Sequence, residues 1–148
     1  MKILLTQLSS YHLWANNLLL DKIKILPAEL QNQLVASSFP SINATLYHLW
    51  NAESLHGKFD ALSNGWLAQS KQWHEWIVNA QEHMFDHEFI YYNSKKEKFK
   101  QRIYEMLVHV FNHGTYHRGQ LVNILRQLEV GDIPATDFIV WSRRKGLV

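Results

Sequence analysis

Hydrophobic positions recur along most of this chain at intervals of three and four, the repeat of a helix with one buried face. Between residues 3 and 26 the stripe runs Leu5, Leu8, His12, Ala15, Leu19, Ile23 and Leu26, and Pro27 closes it. "SSFPS" (37–41) offers a turn with Ser41 as N-cap. From Ser41 a second helix is expected to about residue 62, with Thr45, His48, Ala52, Leu55, Phe59 and Leu62 on one stripe. "SNGW" (63–66) is expected to close it, and a third helix is expected within 67–86.

"EFIYYNSKKEKFKQR" (88–102) has β-branched and aromatic flanks around a polar centre, which predicts a short hairpin or an extended crossover. The fourth helix, about 101–129, has the clearest pattern. Ile103, Leu107, Val110, Gly114, His117, Leu121, Ile124 and Leu128 alternate steps of four and three, the seam of a helix packed in a bundle. Gly131 is expected to end it, and "PATDFIVWSRRK" (134–145) predicts a short terminal helix with Thr136 as its cap. The fold class expected is all-α: a four-helix bundle with a short C-terminal helix. Its 148 residues form one domain, 1–148, large enough for a real core.

Composition narrows the function classes. A net charge of +2 is too small to argue for nucleic acid, and the densest cationic runs, "KKEKFK" (95–100) and "RRK" (143–145), read as solvated faces or turns. The apolar start is broken by Thr6, Gln7, Ser9 and Ser10 before it could act as a signal segment. No apolar run approaches the ~20 residues that span a bilayer. A cytoplasmic protein without a membrane partner is the expectation. There is no cysteine, so any metal must be held by nitrogen and oxygen.

Nine histidines then draw attention, three of them spaced by four in "HVFNHGTYHRGQ" (109–120). At about 100° per residue, His117 lies on the seam and His113 about 40° to one side, while His109 falls toward the edge of the buried face. His113 and His117 converge, as i and i+4 neighbours do, and this spacing lets one helix offer two imidazoles to one ion. His48 is the best third ligand, since it lies on the inward stripe of the second helix among the small residues Ala44, Thr45 and Ala52. Three histidines with an open position describe a catalytic rather than a structural site. Core histidines bonded to carbonyls or acids are the alternative explanation of the same pattern.

Other residues carry weaker cases. His12 lies on the inward stripe of the first helix, as a fourth ligand, a partner to a ligand, or a hydrogen-bonded core residue. His83 and His87 repeat the i, i+4 spacing beside acids, which reads as a solvent-facing pair; His56 and His74 have no supporting context. Glu53, Asp137 or a backbone carbonyl could accept from a ligand imidazole. Arg118 could anchor an anionic substrate, whereas Gly119 and Gln120 read as packing residues. Trp14, Tyr47 and Tyr116 fall near the site by helix position, although Tyr116 points about 100° away from His117. No side chain stands out as a general base.

"SINATLYHLWNAE" (41–53) and "HVFNHGTYHRGQL" (109–121) resemble the two signature segments of the DinB/YfiT-like family, and "YHLWANNLLL" and "PATDFIVW" resemble its first helix and its ending. The resemblance covers nearly the whole chain in the same order. It implies a four-helix bundle, usually dimeric, with a divalent ion, zinc or nickel, on histidines matching His48, His113 and His117. It further implies the chemistry of family members with assigned activities, namely transferases using small thiols and a thiol-dependent isomerase. A small molecule is the expected partner, with a homodimer as the expected assembly. The leading expectation is a metal ion that activates a small thiol or water for attack on a small electrophile. The alternatives are a bundle that binds metal without turnover, and a purely structural or interaction bundle.

Overall fold

The computed structural model describes residues 1–53, 62–93 and 95–145. Helix α1 covers Lys2–Lys24. It stops short of Pro27, whose ring disfavours helical backbone in the residue before it, while Lys22 and Lys24 place positive charge on the last turn. A five-residue helix, α2 (Ala28–Asn32), follows with no buried residue. It is too short for periodicity to reveal. Ser41 caps α3 (Ile42–Glu53) as expected, its Oγ accepting the Ala44 N–H at 3.1 Å. The expected continuation of this helix to residue 62 lies outside the described residues.

Helix α4 spans Leu62–Asn79, which corrects the expectation for "SNGW". Those residues open a helix instead of closing one. Gly65 faces the Trp50 indole so closely that a Cβ there would sit 2.7 Å from Nε1. The glycine serves helix-to-helix approach, not chain reversal. A 3-10 turn (Glu82–Asp86) follows, and then an antiparallel hairpin, β1 (Glu88–Tyr92) on β2 (Lys98–Arg102), paired from Glu88↔Arg102 to Tyr92↔Lys98. The Asn93 side chain accepts the N–H groups of Lys95 and Glu97, shaping the turn.

Helix α5 runs Ile103–Gln127, and Glu105 reaches back to accept the Arg102 N–H at 3.0 Å. It does not wait for Gly131. Glu129 takes the left-handed conformation at φ 56°. Its N–H bonds Arg126 O and the Val130 N–H bonds Leu125 O, both 3.0 Å. Those two bonds form a Schellman stop. Helix α6 (Phe138–Lys145) begins after Asp137, whose carbonyl takes its first bonds. Thr136, expected as the cap, instead presents its carbonyl to the Tyr11 hydroxyl at 2.8 Å.

The four long helices make the expected bundle. α1 packs against α4 and α5, and α3 packs against the same two. Consecutive long helices α1 and α3 therefore stand across the bundle from each other, as do α4 and α5. That is why their links, residues 25–41 and 80–102, are long. Among the described residues two large apolar clusters dominate the interior, beside a smaller one of Tyr11, Ala15 and Trp141. One large cluster joins Leu19, Ile23, Leu46, Leu49, Trp66 and Leu121; the other joins Leu5, Ile77, Phe85, Leu107 and Phe111. Between them along α1 and α5 lies a buried polar layer of Ser9, His12, Asn16 and Arg118, joined by Ser70 of α4.

Gly114 belongs to this layer. A Cβ there would collide with the His12 ring, 2.9 Å from its Nδ1. Replacing a helix-interior glycine by alanine ordinarily gains about 1 kcal/mol. Here Gly114→Ala is expected to destabilise by roughly 1–3 kcal/mol through overpacking. Thermal unfolding checks the sign, at about 2–4 °C per kcal/mol for a chain of this size.

Candidate metal centre

Three imidazoles meet where α3 faces α5. His113 Nε2 lies 3.2 Å from His48 Nε2 and 3.0 Å from His117 Nε2. Nitrogens held about 2.05 Å from a common ion stand about 3.3 Å apart in tetrahedral and about 2.9 Å apart in facial octahedral geometry. The observed spacings fall between these values. The three histidines form a group able to hold a metal ion, with ligand atoms all within 4.8 Å of one another and no carboxylate among them. His117 is 5% exposed, while His48 and His113 are half-buried, so the donor set is rooted in the bundle and open toward its surface.

The orientation of His117 has a visible cause. Its Nδ1 lies 2.7 Å from Gln120 Oε1, an acceptor, so Nδ1 carries the proton and donates it. Nε2 is left as a bare lone pair directed at the cluster. The acceptor is therefore Gln120, which the sequence had assigned to packing. Glutamine three residues after a ligand was the signal, since i and i+3 share a helix face.

Burial lowers the pKa of His48 below its ordinary 6.5, and repulsion from a charged His117 lowers it further. Both effects keep the ring neutral near pH 7, the form that can donate to a metal. A convergent, all-nitrogen donor set fits a divalent ion of borderline softness.

The remaining candidates sort clearly. His12 is fully buried, with Asn16 Nδ2 2.9 Å from its Nε2 and Arg118 Nη1 3.1 Å from its Nδ1. It belongs to the polar layer and lies outside the ligand group. Arg118 is turned into that layer too, donating to Asn16 Oδ1 and Thr115 Oγ1 at 2.8 and 2.7 Å. His83 and His87 are exposed, as expected for a solvent-facing pair. His74 pairs with Ser9 Oγ at 2.9 Å.

Trp14 is not near the centre; it lines a separate cleft between α1 and α4 with Ser10, Leu13 and His74, about 400 Å³ in volume. Tyr116 is 62% exposed, yet its ring touches His117 edge-on at 5.0 Å. Tyr47 lies exposed on α3. Asp137 sits at the start of α6, and the Glu53 side chain and His56 lie outside the described residues. Phe39, which no sequence pattern marked, stacks on His48 at 4.2 Å.

Fold and site together define a helical bundle built around a candidate three-histidine metal centre. The DinB family model matches residues 60–141. A Bacillus subtilis (strain 168) protein named Protein DinB is 32% identical over 158 aligned residues, covering 89% of this chain and 90% of that protein. The chain belongs to the DinB family. The family match includes His113 and His117, whereas His48 lies before it and is joined to them by the fold.

Two outcomes follow from this geometry. Gln120→Ala is expected to weaken zinc binding about 10–100-fold, as loss of a ligand's hydrogen-bond partner does, and competition with a chromophoric chelator measures it. The lowered pKa of His48 means that the unfolded chain binds more protons between that value and 6.5. His48 therefore contributes stability to the metal-free chain that is complete above this window and lost as pH falls through it. Urea midpoints of wild type and His48→Gln, compared across about pH 5–8, should converge toward the acid end.

Proposed function

We propose that this DinB-family chain is a metal-dependent enzyme. His48, His113 and His117 hold a divalent ion, zinc or nickel, and a small thiol or water attacks a small electrophile there. The observation that carries this reading is the convergence of three imidazole nitrogens on one point, open on one side and, among the described residues, with no carboxylate in the group.

The ion, when bound, supplies Lewis acidity that lowers the pKa of a thiol or water and so makes the nucleophile abundant near neutrality. Neutral ligands leave the ion's full charge uncompensated, which favours an anionic nucleophile over a neutral one. Gln120 fixes the tautomer of His117. Phe39 stacks on one face of His48, and the exposed ring of Tyr116 meets His117 edge-on. The substrate on this reading is a small molecule, and the assembly a homodimer. No helix among the described residues is long and apolar enough to cross a membrane.

Elemental analysis of protein purified without an affinity tag, beside His48→Ala, His113→Ala and His117→Ala, tests the centre. The expected result is about one ion per chain, lost in each variant while circular dichroism stays helical. The loaded protein should then consume small thiols in the presence of electrophiles. Wild type that carries no metal and takes up neither zinc nor nickel on reconstitution would overturn the metal centre. Full loading without thiol or hydrolytic turnover would leave a metal-binding module in place of an enzyme.

A further inference from the structure

One apolar ring touches two of the three candidate ligands, which come from different helices. The Phe39 ring lies nearly parallel to the His48 imidazole, with centroids 4.2 Å and planes 22° apart. It also meets His117 at 5.5 Å and 61°, edge to face. Phe39 is half-buried and belongs to neither of the two large apolar clusters of the bundle. Its company is the histidines.

The seat of this ring is set by the backbone around it. Phe39 lies in the segment between α2 and α3, and the Val35 N–H donates to the Pro40 carbonyl at 2.9 Å, pinching the loop shut. Val35 packs against the main apolar cluster, which anchors the loop's first arm. Pro40 has a fixed φ, and Ser41 caps α3, anchoring the second. The loop therefore presents Phe39 from two tethered ends, one directly joined to the helix that carries His48.

Stacking has a definite consequence for a ligand. A half-exposed imidazole turns about two side-chain torsions, and binding an ion freezes both. A ring already laid flat against a fixed phenyl has surrendered that freedom before the ion arrives, and its face is shielded from competing water. We infer that Phe39 is a positioning residue of the metal centre, holding His48 and abutting His117 in their ligating orientations, so that affinity for a divalent ion depends on it. This inference rests on the metal-centre reading above.

The test uses full-length protein, with zinc affinity measured by chelator competition and coordination read from the visible spectrum of the cobalt-substituted form. Phe39→Ala and Phe39→Leu should bind zinc about 10–100-fold more weakly, the range found when groups supporting a ligand are removed, and should shift the cobalt spectrum. Phe39→Tyr, which keeps the ring, should restore both. The leucine variant keeps an apolar side chain in the loop and guards against a folding defect, shown by a metal-free unfolding midpoint near that of wild type. Wild-type affinity and an unchanged cobalt spectrum in the alanine and leucine variants would overturn the inference while leaving the metal centre standing. A wild type that binds neither ion would overturn both, and that result is visible before any Phe39 variant is made.

Discussion

A guanidinium withdrawn from water at the middle of a helical bundle must be met by acceptors, or the bundle does not close. Arg118 is 1% exposed. It reaches Asn16 Oδ1 on α1 and Thr115 Oγ1 on its own helix, and its charge lies 5.1 Å from the centre of the Tyr11 ring. Burying such a group costs several kcal/mol unless its surroundings compensate. The residues that compensate it therefore determine where α1 sits against α5. This contact lies in the polar layer between the two large apolar clusters. That layer stands at the height of the candidate metal centre. Residues 117 and 118 point about 100° apart, so one turn of α5 serves both purposes: Arg118 faces α1 while His117 faces α3.

Much of this was legible in the chain. The alternating steps from Ile103 to Leu128 specified a long bundle helix, because only a helix with a constant buried face needs that pattern. His113 and His117 were legible because their spacing fixes their proximity without any knowledge of the rest of the fold. His48 was readable for a related reason: its stripe faced inward, and an inward histidine among small residues has to meet something. The hairpin after residue 87 was legible from its flanks.

What was hidden depended on distance or on a residue with two possible uses. Gly65 and Gly131 looked like punctuation. Gly65 in fact lets α4 approach Trp50, and the left-handed position at the end of α5 is taken by Glu129. Gln120 looked like packing because its role appears only once the tautomer of His117 matters. Trp14 was misplaced because helix position alone does not say which neighbour a face meets; it lies toward α4 and α6, with Arg144 over its ring. Phe39 sits in a loop, where no periodicity applies.

The triad also joins parts of the chain that are far apart in sequence. His48 and His113 are 65 positions apart, and the segment between them contains α4 and the hairpin. An ion shared by the two would tie that segment into a closed ring, in a chain that has no cysteine with which to make a disulfide. By the chain-entropy estimate for a crosslink of this span, the tether removes up to about 4 kcal/mol of freedom from the unfolded ensemble. Loading the centre would then act as a reversible staple, and the loaded and empty forms would differ in resistance to unfolding and to proteolysis as well as in chemistry.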